Sequence, residues 1–302
     1  MRISTSTLQA INMYGLDEAM AIVAKAGFES IDYSLIYDWK DPSLQDPTSP
    51  EFAAHFREIA ATIRSHGLEI GQTHAPYATT VTRDPAVYPP LQKEIILAIY
   101  ATGYMGCPYM VAHPPQLAEF ANGQNADQAM QLALEHFGPM VPALKEAGVT
   151  ACIENVFFTE SRALPKVLGF GSDAESLSLL IDTLNETYGP HFAACLDTGH
   201  ALLVGKEPAD MLRILGHRTR ALHVQDNKRG INDEHLIPPE GTINWKEFGK
   251  TLGEVGYPGT FNFEVIPYFN HLPRDTYNRD VFQNACTLLY SIGRSLADFA
   301  EK

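Results

Sequence analysis

The stretch FAACLDTGH, residues 192–200, decides how the chain is read. It begins as an apolar run of the kind found in a parallel sheet, where both faces are covered. It ends in Asp197, and His200 follows three residues later. Gly199 between them reads as permitting a tight turn, which lets both side chains face one centre. An apolar strand that ends by presenting a carboxylate and an imidazole raises the question of whether other strands end the same way.

They do. EIGQTH (69–74) ends in His74, and YMVAH (109–113) ends in His113. TACIENV (150–156) carries Glu154, ALHVQD (221–226) carries His223, and GTFNFEV (259–265) carries Glu264. RIST (2–5) and SIDYSL (30–35) bring the strand-like runs to eight. Amphipathic segments alternate with them: 16–27, 50–67, 88–105, 125–147, 172–187, 207–216, 244–255 and about 275–300. The first of these closes on a glycine stop, and the second opens on a proline.

Eight βα units without a break in composition predict one (β/α)8 TIM barrel, an α/β fold, as a single domain over residues 1–302. An open doubly wound sheet should carry a GxGxxG loop after its first strand, and the chain has none there.

In such a barrel the chemistry sits at the C-terminal strand ends. Burying a carboxylate costs several kcal/mol unless it is paired or metal-bound, so Glu154 in ACIENV and Glu264 in FNFEV need partners. A lone histidine at a strand end is usually structural, but six successive strands that deliver ionisable groups to one mouth predict a metal site. Its smallest form is Glu154, Asp197, His223 and Glu264. His74, His113 and His200, together with Asp233 and His235 in the seventh loop, are candidates for further metals or for binding substrate hydroxyls. Mixed carboxylate and imidazole donors suit Mn²⁺, Zn²⁺, Co²⁺ or Fe²⁺ better than Mg²⁺.

A net charge of −14 argues against a surface built for nucleic-acid phosphates. The opening MRISTSTLQAINMYG is no signal peptide, and no apolar run reaches the ~18 residues of a membrane span. The four cysteines, Cys107, Cys152, Cys195 and Cys286, lack metal-type spacing and read as reduced, buried thiols of a cytoplasmic protein.

With these residues in view, the elements THAPY, AHPP, IEN, LDTGHALLVG, HVQDN, DEHLIPPEGTINW and FE resemble the xylose isomerase-like TIM barrel superfamily over nearly the whole chain. That group contains sugar isomerases, ketose 3-epimerases, inosose dehydratases and the endonuclease IV type of DNA-repair nuclease. In its epimerase-like branch, the resemblance implies a divalent-metal-dependent sugar isomerase or epimerase acting on a ketose, aldose or polyol. One glutamate, Glu154 or Glu264, would remove a proton next to the carbonyl, and an enediolate would form against the metal. The other glutamate would return the proton. Glu160, His200 and Arg229 match positions that bind substrate hydroxyls. In the nuclease branch three zinc ions would use His74, His113, Glu154, Asp197, His200, His223, Asp233, His235 and Glu264 on abasic DNA. The scattered Lys and Arg of the loops argue against that branch. A lyase like the inosose dehydratases shares the first proton abstraction. The last loop, VIPYFNHLPRDTYNRD, has no glycine for a phosphate cradle, which favours an unphosphorylated sugar. Members of the superfamily are often homo-oligomers, but nothing in the helices fixes an interface.

Overall fold

The computed structural model describes residues 1–36, 39, 41–77, 88–159, 166–229, 232–265 and 279–301. Eight parallel strands form the barrel wall: β1 (Ile3–Ser6), β2 (Ser30–Ser34), β3 (Glu69–His74), β4 (Tyr109–Ala112), β5 (Thr150–Glu154), β6 (Phe192–Asp197), β7 (Thr219–His223) and β8 (Phe261–Phe263). Each pairs with its sequence neighbour, and β1 pairs with β8. The remaining seam, between β7 and β8, is thin. There Val224 N–H donates to Asn262 O at 2.7 Å and Glu264 N–H to Val224 O at 3.0 Å, in a single parallel bridge. These bonds close the ring and bring Glu264 beside the end of β7.

Outside the wall lie α1 (Leu8–Tyr14), α2 (Leu16–Ala26), α3 (Pro50–Ser65), α4 (Tyr88–Tyr104), α5 (Ala126–Phe137), α6 (Val141–Ala147), α7 (Ala174–Tyr188), α8 (Thr198–Leu203), α9 (Pro208–Leu215), α10 (Trp245–Glu254) and α11 (Arg279–Ala297). Their ends follow local chemistry. Ser49 Oγ accepts from Phe52 N at 3.1 Å ahead of Pro50, and Asp173 Oδ1 accepts from Ser176 N at 2.8 Å. Gly27 ends α2 at φ +107°, where a Cβ would also stand 2.8 Å from the Tyr290 ring of α11. None of the described helices is long and apolar enough to cross a membrane.

Three expectations need correction. The amphipathic segment 125–147 is two helices, because the one-turn 3₁₀ piece Gly138–Met140, with Pro139 inside it, interrupts it. A further helix, α1, follows β1 directly where none was expected. LDTGH is not a glycine turn: Asp197 caps α8, and its Oδ1 accepts from His200 N at 2.6 Å. Gly199 is needed for space instead, since a Cβ there would overlap the Gln225 side chain.

Successive strand residues face opposite sides. Met110, Ala112, Ala151, Ile153, Ala194, Leu196 and Leu222 face outward into the large core shared with the helices. Val111, Cys152, Ala193, Cys195 and Ala221 form a separate small cluster inside the barrel. One inward position beyond four of these stand His113, Glu154, Asp197 and His223. All four cysteines are buried and unbridged, as the sequence suggested.

Candidate metal centre

Glu154, at the end of β5 and 1% exposed, is the hub. His223 Nδ1 and His200 Nδ1 lie 3.1 and 3.2 Å from its Oε1. His113 Nε2 and His74 Nε2 lie 3.0 and 3.7 Å from its Oε2. Burial opposes its charge, but His223 and His113 hold its carboxyl well below the usual range, so it is ionised.

Around the hub, charges alternate. Burial alone would neutralise His200 and His223. Asp197 and Asp233 instead raise His200 well above the ordinary imidazole range, and the Glu264 and Glu154 carboxylates do the same for His223. Asp233, beside His235 and His200, stays well below the carboxylate range despite its burial. His235 rises to about 10 because the adjacent Asp233 carboxylate outweighs its burial. Asp197 is the exception. Burial, with Glu154 and Glu264 adding to it, pushes its carboxyl up to about 6.

Backbone contacts aim the rings. His74 Nδ1 is 2.8 Å from Ala75 O, which leaves Nε2 toward Glu154. His235 Nδ1 is 2.7 Å from Glu264 O, which leaves Nε2 3.0 Å from Asp233 Oδ2. Asn155 braces the end of β6: its Oδ1 accepts from Asp197 N at 2.6 Å, and its Nδ2 donates to Asp197 O at 3.0 Å. Asp226 ties down the loop that carries Asp233 and His235. It accepts from Asn227 N at 2.9 Å, Ile243 N at 3.2 Å and Trp245 Nε1 at 2.8 Å. Gln225 Nε2 donates to Asp197 Oδ1 at 3.2 Å and to Asp233 Oδ1 at 3.1 Å, linking two carboxylates that would otherwise only repel.

The donor chemistry fits divalent cations. Among the described residues, ligand atoms lie within 4.8 Å of one another in four groups: His74–His113–Glu154, His74–His223–Glu264 and Glu154–Asp197–His223–Glu264, which overlap, and His200–Asp233–His235, which stands apart from them. Glu154 Oε2 and His200 Nδ1 are buried and, among the described residues, have no partner in hydrogen-bonding geometry. Buried polar atoms this close together but poorly aligned for hydrogen bonds are costly, and a cation held among them would satisfy them. These residues could therefore hold a metal ion.

All nine strand-end and loop candidates gather at one mouth. Two other site residues were expected. Arg229 is exposed and pairs with Glu207 ahead of α9, and Glu160 lies outside the described residues. The sequence reading missed Asp32, Gln72, Asn262, Asn155 and Gln225, all buried and all hydrogen-bonded within or just beneath the site. A carboxylate inside the apolar run SIDYSL was a readable signal for Asp32, of the same kind as Glu154.

A family model for the xylose isomerase-like TIM barrel matches residues 20–281. A Mycobacterium tuberculosis protein described only as uncharacterized is 26% identical over 252 residues, covering 80% of this chain and 84% of its own. A probable endonuclease 4 of Mycoplasmopsis synoviae is 25% identical over 191 residues, covering 59% of this chain and 63% of its own. Among solved structures, a D-tagatose 3-epimerase-like protein superposes with a TM-score of 0.70 at 20% identity, covering 99% of this chain and 98% of its own.

Proposed function

Since the chain belongs to the xylose isomerase-like TIM barrel family, we propose that its mouth carries out metal-dependent isomerisation or epimerisation of an unphosphorylated ketose, aldose or related polyol. The observation that carries this reading is the convergence of two carboxylates on one imidazole. Glu154 Oε1 and Glu264 Oε2 lie 3.1 and 3.4 Å from His223 Nδ1, with Asp197 in the same ligand group. The solved neighbours include ketose 3-epimerases.

Glu154, Asp197, His223 and Glu264 would hold the ion, with Mn²⁺, Zn²⁺ or Co²⁺ matching the donor set. When bound, it supplies Lewis acidity that acidifies the C–H beside a carbonyl. Ionised Glu154 would take that proton, and Glu264, which follows β8 and would enter the step already protonated, would deliver one to the enediolate, the two carboxyls then resetting by proton exchange with solvent. Return to the opposite face of the same carbon gives the epimer, and return to the neighbouring carbon gives the isomer. His74, His113 and His200 line the same mouth as donors for sugar hydroxyls.

A second reading has one observation in its favour. The groups His74–His113–Glu154 and His200–Asp233–His235 complete sets for two more cations, which would suit a phosphodiesterase acting on abasic DNA. Metal content of protein purified without chelator, followed by turnover of free ketoses in deuterated water, decides between them. About one Mn, Co, Fe or Zn per chain and deuterium beside the carbonyl support the sugar reading. Two or three zinc ions with strand cleavage at abasic sites would replace it.

A further inference from the structure

Beneath the mouth lies a buried carboxylate that the proposed chemistry does not use. Asp32, at the C-terminal half of β2, is 3% exposed and points into the barrel interior. One of its oxygens, Oδ2, receives three side-chain contacts from described residues. Gln72 Nε2 from β3 donates to it at 2.9 Å, Asn262 Nδ2 from β8 donates at 3.2 Å, and His223 Nε2 from β7 lies 3.2 Å away. Gln72 Nε2 is also 3.3 Å from Leu222 O, next to His223 in the strand. The other nitrogen of the same ring, Nδ1, faces Glu154 and Glu264.

We propose that Asp32 is a positioning residue that fixes the His223 ring with Nε2–H toward Oδ2, so that Nδ1 is the nitrogen offered to the metal. This rests on the metal-binding reading above and deepens it. Both ring nitrogens face carboxylates, but Glu154 and Glu264 on the Nδ1 side are themselves proposed ligands, so an ion held among them would take the Nδ1 lone pair while Asp32 keeps the proton on Nε2. The amides of Gln72 and Asn262 hold Asp32 from either side, so the carboxylate cannot swing away without breaking two further hydrogen bonds. Asp32 touches no reacting atom and would act only through His223.

The test pairs metal affinity with a direct signature of the ring. Protein labelled with ¹⁵N-histidine is loaded with Zn²⁺, and the His223 resonances are assigned by their loss in His223→Gln. A slowly exchanging, downfield Nε2–H is expected, with Nδ1 shifted by the metal. In Asp32→Ala and Asp32→Asn, Zn²⁺ affinity in chelator competition should fall about 10- to 100-fold, and the Nε2–H signal should move or vanish. A merely structural role would leave that signal in any variant that folds. Unchanged affinity in folded variants, or a wild-type spectrum with the metal on Nε2, overturns the proposal. If neither variant folds, the wild-type spectrum decides alone. The Nε2–H signal is expected with or without Zn²⁺, so failure to load metal would sink the functional reading and leave this test standing.

Discussion

The barrel interior holds two neighbouring zones built by the same strands, and they differ in almost everything but geometry. Deeper in β4 to β7, the inward side chains are Val111, Cys152, Cys195 and Ala221, small and apolar. Two residues further along each strand they are His113, Glu154, Asp197 and His223. The deeper zone keeps charge out. Burial pushes Cys195 up to about 12 and Cys152 well above the usual thiol range, so both stay neutral beneath the ligands. The outer zone concentrates charge and satisfies it with neighbouring charge. The candidate site therefore occupies one inward position on each of these four strands, above a floor of small apolar side chains.

Exchanging characters between the zones should separate their roles. The largest effect belongs to Glu154→Gln, which removes the hub. Turnover of a confirmed sugar substrate should fall by about 10²- to 10⁴-fold, and metal content should drop while far-UV circular dichroism is kept. Full activity would break the comparison. Cys152→Asp makes the opposite move and puts a carboxylate into the apolar floor. It should cost several kcal/mol in urea unfolding, and a near-wild-type midpoint would mean the floor is wetter than its packing implies.

The other two tests lie outside both zones, in the helical shell. Burial depresses His136 of α5 to about 4 from 6.5. The unfolded chain therefore binds the proton more readily, and the stability from keeping His136 neutral is fully present above pH 6.5 and lost as pH falls through about 4. At the acid end that is on the order of 3 kcal/mol. His136→Gln should flatten this part of the stability–pH curve, and an unchanged slope would assign it elsewhere. Smallest is Ser49→Ala, which removes the α3 cap. It should cost about 1 kcal/mol in thermal or urea unfolding and leave metal content alone. A change in metal content would show that shell and mouth are coupled.

Much of this was legible in the sequence, for a definite reason. Parallel strands covered on both faces leave little excuse for ionisable residues, so His74, His113, Glu154, Asp197, His223 and Glu264 stand out against their apolar runs. Asp233 and His235 were found by composition, but the loop geometry that brings them to His200 depends on Asp226 and Trp245, which no local pattern marks. Asp32 was overlooked because SIDYSL alternates enough to pass for an ordinary half-exposed strand. Arg229 was placed in the site by the family resemblance. A matched position fixes the backbone and not the direction of a long side chain, and the structure adds an ion pair with Glu207 that no local pattern marks. Gly199 was correctly singled out for the wrong cause, since clearance for Gln225 is a contact made 26 residues away in sequence.

The thin seam between β7 and β8 has a mechanical consequence. Seven of the eight joints in the ring are paired ladders, and this one rests on a bridge at Val224 and Phe263. It is where the ring should part first under thermal or pulling stress, and His223 and Glu264 stand on its two sides. An ion gripped by both would act as a clasp across the weakest joint, and a loaded barrel would be harder to prise open than an empty one.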